Sequence, residues 1–409
     1  MRVTIQPGTP CGRARLPASK SIAHRYLIAA AFTPGLTQIR NLPDNDDIRA
    51  TVRCLRAMGV EVRISGSDAA VQGRNPRRLP ETVVADCGES GTTLRLLLPV
   101  ALLQETGRSM SFTGSRRLFE RPLSVYEDIC RERGICFVKS YDRVTVGGGL
   151  CPGCFCFPGN ISSQFVSGLL LALPHLAGES RLSLTGQVES ASYIGLTLDT
   201  LRRFRYTVEA DGTGAYRIPG SQTGQVPHEF LHVPADQSAA AFFGAMQTLG
   251  GTVIMENDAD GRAQGDSVYR VYMAQLCRER CRLSVADCPD LAPILLVVAA
   301  LHHGGTLCDT ARLRLKESDR GAAMAEELRK CGVRIAVREN EIIVDPGGVH
   351  APETVLCAHN DHRVAMSLAV LLCRTGGSLD GAECVAKSMP DFFAMLQALG
   401  IHVHEQKES

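Results

Sequence analysis

Six stretches of this 409-residue chain place hydroxyl, amide, carboxylate and cationic side chains just ahead of long apolar runs. Ser19, Lys20, Ser21 and Arg25 stand at the first, and Glu89, Ser90, Gly91 and Thr92 at the second. Ser162, Ser163 and Gln164 stand at the third, Asp236 and Ser238 at the fourth, Asp290 at the fifth, and Asn360, Asp361, His362 and Arg363 at the sixth. An apolar helix needs little polar chemistry at its start beyond a capping side chain. A helix start offers unpaired amide protons and a partial positive charge, so it favours phosphates and carboxylates. One such start reads as an ordinary cap, but six that converge would make an anion site. Two more strings, FERPL (119–123) and KESDR (316–320), set charges beside apolar runs; a capping box with surface ion pairs would explain KESDR equally well. Lys387, in CVAKSMPDFF, reads on its own as a solvated loop lysine.

The elements that must carry these residues follow a repeat. LRAMGVEV (55–62), CRERGICF (130–137), LRRFRYTV (201–208), LCRERCRL (276–283), LRKCGVRI (328–335) and LQALGIHV (396–403) each end an amphipathic helix and begin a strand. Gly59, Gly134, Gly332 and Gly400 supply the left-handed residue that ends a helix at little steric cost. Arg205 and Cys281 occupy that position in the other two copies, so those helices end differently or carry strain of about 1 kcal/mol. Between these lie six helices that are apolar nearly all round, spanning 21–32, 90–103, 162–177, 237–250, 289–303 and 361–374, and therefore buried. The repeating unit is strand, buried helix, strand, exposed helix, strand, over about 65–75 residues. Six such units exceed one core, so an α/β protein of two lobes with three units each is expected, with a break near residue 232.

Composition sets limits. Hydrophobic residues are 44% and charged residues 21%, which excludes a disordered chain or a coiled coil. Lys and Arg number 44 against 43 Asp and Glu, a net charge of +1, so a general nucleic-acid or membrane-surface protein is disfavoured and anion binding must be local. The first residues lack the apolar core of a signal peptide and the run 291–301 is too short to span a bilayer, so a cytoplasmic protein is expected. The 16 cysteines are irregularly spaced and read as core residues and free thiols. Cys151, Cys154 and Cys156 hint at zinc, but no fourth ligand is placed, and no metal is expected.

The strings LPASKSIAHR (16–25), GESGTTLRLLLP (88–99), RRLFERPL (116–123), SSQFVSGLLLALP (162–174), DCPDLAP (287–293), LRLKESDR (313–320) and HNDHRVAMS (359–367) resemble, in order, those of the EPSP synthase family, the 3-phosphoshikimate 1-carboxyvinyltransferases. The resemblance covers nearly the whole chain. It implies a two-lobed inverse α/β barrel-like fold, with residues 1–18 and 233–409 in one lobe and 19–232 in the other, and buried parallel helices that face the cleft. It implies transfer of the enolpyruvyl group of phosphoenolpyruvate to the 5-hydroxyl of shikimate 3-phosphate, through a tetrahedral intermediate, in the shikimate pathway of aromatic amino-acid biosynthesis. No cofactor is implied, and a monomer is expected. Such chemistry needs a base, an acid and cations for two phosphates and two carboxylates.

By the same resemblance, Lys20, Asp290 and Glu317 are the catalytic residues. Lys20, Gly91, Arg121, Gln164, Arg320, Arg363 and Lys387 match the phosphoenolpyruvate contacts. Lys20, Ser21, Arg25, Ser162, Ser163, Gln164, Ser190, Tyr193, Asp290 and Lys316 match the shikimate 3-phosphate contacts. Closure of the lobes on the acceptor would bring the two sets together.

Some positions depart from the family's pattern: Glu89-Ser90 where Asn-Ala is usual, Leu96 where proline is common, Ala191-Ser192 in place of Lys-Pro, and Arg312 in place of asparagine. Glu89 is expected to turn away or pair with a cation. Gly91 is kept, so sensitivity to the family's inhibitor glyphosate is expected. The sister transferase that acts on UDP-N-acetylglucosamine usually carries a cysteine in the loop that reads TGSRRLFERP (113–122) here, which has none. A non-catalytic anion-binding paralogue is disfavoured because every acid, base and cation position is filled.

Overall fold

The computed structural model describes residues 1–261 and 264–406. The chain forms two compact units, Ala18–Pro234, and Met1–Pro17 together with the residues from Ala235 onward. Each has its own hydrophobic core.

In Ala18–Pro234 one plan is built three times. A strand such as Thr82–Asp86 alternates exposed and buried residues, the pattern of a sheet with one face covered. The buried helix Gly91–Ala101 returns the chain to a parallel strand, Ser109–Thr113, with Val83 opposite Met110. The amphipathic helix Ser124–Glu132 leads to the hairpin Phe137–Lys139 and Arg143–Gly147, whose second strand pairs antiparallel with Ser109–Thr113. Strand Cys154–Pro158, helix Ser163–Ala172, strand Ser180–Thr185 and helix Ala191–Arg203 repeat the order. In the remaining sheet, Gly35–Arg40 follows the buried helix Lys20–Ala31, and its parallel neighbour, Leu231–His232, comes from the end of the unit.

The other unit has one sheet of the same kind, Cys281–Ser284, Gly305–Cys308, Ile335–Val337 and Glu341–Val344, around the buried helix Ala292–Leu301. A second, with helix His362–Thr375, takes Arg2–Ile5 from the start of the chain, pairing it between Gly377–Asp380 and Val403–Gln406. The unit containing helix Gln237–Thr248 departs from the expected repeat. Its sheet has only Cys11–Ala14 and Thr252–Met255 among the described residues, and short helical turns at Asp258–Gly261 and Gly265–Val268 follow instead of a hairpin.

Gly59, Gly134, Gly332 and Gly400 all adopt φ between 65° and 84°, the left-handed cap the repeat requires. Arg205 takes the same conformation, φ 60°, despite its side chain. The remaining copy ends otherwise: its helix stops at Leu276, and Cys281 opens the next strand. Cys151, Cys154 and Cys156 are exposed free thiols; the latter two alternate with buried Phe155 and Phe157 along an edge strand. Among the described residues, no helix is long and apolar enough to cross a membrane.

Candidate active site

In Ala18–Pro234 the polar residues gather at the starts of three buried helices and one amphipathic helix. Ser90 and Ser162 cap theirs, accepting from the amides of Thr93 and Gln164. The Lys20 ammonium lies 2.8 Å from the Asp47 carboxylate, and both side chains are mostly buried. One turn on, the Arg25 guanidinium donates to Thr197 Oγ1 (2.7 Å), Ser167 Oγ (3.1 Å) and the carbonyls of Ser21 (2.7 Å) and Tyr193 (3.0 Å). All four acceptors are neutral. Burial lowers the Arg25 pKa to about 10, the nearby Tyr193 opposing. Ser190 opens the helix Ala191–Arg203 in the left-handed conformation, φ 57°, and so helps set where Tyr193 stands.

A second cluster surrounds Gly91. A Cβ added there would lie 2.4 Å from Arg121 Nη1, so only glycine lets that guanidinium lie against the helix start. Gln164 donates to Thr92 Oγ1 (2.8 Å) and accepts from Arg95 (2.9 Å), which also donates to the Pro122 carbonyl (3.0 Å). Burial, then the charge of Arg121, push Arg95 well below the usual arginine range. Ser163 is buried in the first turn of its helix, Ser21 and Ser162 half-buried. Glu89, expected to turn away or pair, is exposed.

In the other unit the cluster is ionic. Asp290 lies in a helical turn, Pro289–Leu291, just before its buried helix. Its carboxylate accepts from Lys316 (3.0 Å) and Arg320 (2.8 Å), with Arg363 at 3.7 Å. Arg320 also donates through Nε to Asp361 (2.8 Å), whose other oxygen caps helix His362–Thr375 at the Arg363 amide. Ser318 donates to Asp361, and Glu317 pairs with His362 Nδ1 at 2.8 Å. Lys387 donates to the carbonyl and side-chain oxygens of Asn360 (2.7 and 2.9 Å).

Burial alone would raise the Asp290 carboxyl; Lys316, Arg320 and Arg363 hold it well below the usual range. Burial brings Lys316 down to about 8; Asp290 opposes, and Arg320 and Arg312 add to the fall. Arg320 is held above its ordinary value by Asp361, Asp290 and Glu317, although burial works against its charge. The result is a connected chain of alternating charges from Lys316 through Asp290 and Arg320 to Asp361.

The sequence-derived residues thus fall into two sets. Lys20, Ser21, Arg25, Gly91, Arg121, Ser162, Ser163, Gln164, Ser190 and Tyr193 lie in one unit, and Asp290, Lys316, Glu317, Arg320, Arg363 and Lys387 in the other. Arg95, Asp47, Ser167 and Thr197 were not anticipated. Arg95 had a legible signal: an arginine inside an apolar run must find partners. Asp47 had none, since acidic residues in a first helical turn are ordinary. His24 is fully buried on Thr51 Oγ1 (2.7 Å), and burial drives its pKa down to about 3. Among the described residues, Glu317, Asp361 and His362, or Glu326, Glu327 and His359, bring three ligand atoms together. Neither set includes the cysteines, and Arg320 and Lys330 already bind the carboxylates.

A family model described as EPSP synthase (3-phosphoshikimate 1-carboxyvinyltransferase) matches residues 6–396. The 3-phosphoshikimate 1-carboxyvinyltransferase of Clostridium kluyveri is 34% identical over 98% of each chain, and that of Clostridium acetobutylicum 35% over the same shares. The solved structure of EPSP synthase from Acinetobacter baumannii superposes with a TM-score of 0.78 at 25% identity, covering 99% of this chain and all of its own.

Proposed function

We propose, on the premise that this chain belongs to the EPSP synthase family, that it transfers the enolpyruvyl group of phosphoenolpyruvate to the 5-hydroxyl of shikimate 3-phosphate and releases phosphate. The observation that carries this reading is the Lys316–Asp290–Arg320–Asp361 chain with Glu317 paired to His362 beside it. It holds carboxylates for proton transfer and cations for anionic reactants in one cluster.

The hydroxyl oxygen bonds to C2 of phosphoenolpyruvate while its proton leaves and C3 gains one. The reverse proton movement at C3 then expels phosphate. A carboxylate held as low as Asp290 is a weak base. Anionic substrate that draws Lys316 and Arg320 toward itself removes the charges that depress Asp290, so its basicity rises as the substrate binds. Glu317 and Lys20 are the other proton-transfer groups. Arg25, Ser21, Ser162, Ser163, Gln164, Ser190, Tyr193 and Lys316 take the acceptor. Arg121, Arg320, Arg363 and Lys387, with Gly91 and Gln164, take phosphoenolpyruvate. Guanidinium groups suit both phosphate and carboxylate because they bind two oxygens at once. Gly91, free of a Cβ against Arg121, keeps the room that sensitivity to glyphosate requires; full activity in millimolar glyphosate would show otherwise.

The test is phosphate release from phosphoenolpyruvate with shikimate 3-phosphate and, separately, UDP-N-acetylglucosamine. Release with the first alone, lost in Glu317→Ala, is expected. Release only with the sugar nucleotide, or with neither acceptor from folded protein, would overturn the reading.

A further inference from the structure

Glu327 is a fully buried carboxylate that the reaction above does not use. It lies on the buried side of helix Arg320–Lys330, two turns from Arg320. Its oxygens accept from Lys330 Nζ (2.9 Å), His359 Nε2 (2.8 Å) and the amide of Cys357 (2.9 Å). An ionised carboxylate survives burial only when paired and hydrogen-bonded, and this one is both. The donors come from its own helix and from the segment that precedes helix His362–Thr375.

That segment is strained. His359 and Asn360 both adopt φ 51°, a left-handed pair without glycine. Each such residue costs about 1–3 kcal/mol and persists only where its surroundings hold it. The surroundings include the Asp361 amide on the Ala358 carbonyl (2.9 Å), the His359 amide on Cys357 Sγ (3.3 Å), Lys387 on Asn360, and Glu327 on the His359 ring. The residues that follow are the working ones. Asn360 holds the Lys387 ammonium, Asp361 holds Arg320, His362 holds Glu317, and Arg363 begins the helix.

We propose that Glu327 and His359 are positioning residues: a buried ion-pair clamp that fixes the left-handed 359–360 turn and so places Lys387 and Arg363 for phosphoenolpyruvate. The clamp rests on the reading above for which substrate those cations hold. It does not touch Lys316, whose partner is Asp290, so acceptor binding should be spared. The Glu327 carboxyl, although buried, sits below its usual range through bonds from His359, Lys330 and Cys357, and His359 sits above its own, chiefly through Glu327, the two directions an ion pair produces.

Two variants test this. Glu327→Gln keeps the size and removes the charge. His359→Asn keeps a residue that tolerates the left-handed conformation and removes the ring. Both should raise KM for phosphoenolpyruvate about 10- to 100-fold, because small displacements of positioned groups have effects of that size. Calorimetric Kd for shikimate 3-phosphate alone should change less than about twofold. Amide exchange at residues 358–363 should quicken in both, a readout that stands even if the wild-type protein proves inactive with shikimate 3-phosphate. Folded variants with unchanged KM and unchanged exchange would overturn the clamp, as would equal loss of both substrates. If Glu327→Gln fails to fold, His359→Asn decides alone.

Discussion

The two clusters solve the problem of buried charge in opposite ways. Arg25 and Arg95 are held by hydroxyls, an amide and carbonyls, all neutral. Arg320 and Lys316 are held by carboxylates. Neutral partners satisfy hydrogen bonds and leave the positive charge uncancelled, so Ala18–Pro234 keeps its field for an incoming anion. Carboxylate partners cancel the field but give the second cluster groups that can change protonation. In the proposed reaction the first cluster chiefly attracts, while the second both binds anions and supplies carboxylates for proton transfer, with Lys20–Asp47 the exception in the first.

Removing one arginine from each cluster would break this contrast most directly. Arg320→Ala leaves Asp361 buried without its guanidinium and should cost about 3–5 kcal/mol of stability, read by denaturant unfolding. Arg25→Ala leaves only neutral groups unpaired and should cost about 1–3 kcal/mol, while weakening shikimate 3-phosphate binding far more than its stability loss suggests. Equal destabilisation would erase the distinction.

Lys316 sharpens it by pH. Below about 8 its ammonium is charged and, in the role proposed for it, available to the acceptor; above about 8 the charge is lost. KM for shikimate 3-phosphate should therefore rise with pH, by up to about tenfold per unit above 8, and Lys316→Arg should flatten that rise. Gly91→Ala tests the attracting cluster, since the new methyl group must displace Arg121. About a tenfold rise in KM for phosphoenolpyruvate, with kcat little changed, is expected from the loss of one well-placed guanidinium contact. The smallest effect lies outside both clusters. Arg205→Gly relieves a left-handed residue and should raise stability by about 1 kcal/mol without altering turnover.

Much of this was legible in the residues themselves. The glycine caps announced helix ends because left-handed geometry has few occupants, and the copies with Arg205 and Cys281 were marked as ending differently or strained for the same reason. The polar starts of the apolar helices marked both clusters. Partner choice was not legible. Nothing in KESDR says that Lys316 and Arg320 share Asp290, or that Glu317 meets His362, because those pairs join segments distant in sequence. Asp290 looked like one more helix cap, yet it sits in a separate turn and accepts from side chains. The shortened sheet beside Gln237–Thr248 was missed because an apolar run such as Thr252–Met255 fits a strand in a sheet of any width. His359 and Glu327 each look ordinary until the left-handed turn between them and the site is seen.

The strand Arg2–Ile5 has its partners at 377–380 and 403–406. During synthesis residues 2–5 emerge about 370 residues ahead of the nearer of these partners, so the strand must wait for both of them. The sheets of Ala18–Pro234 are paired from its own strands, so that unit can close long before. The cluster around Asp290 therefore matures after the one in Ala18–Pro234. A chaperone or protease that meets the nascent chain would find Ala18–Pro234 finished and the other unit still without the partners of its four-residue strand.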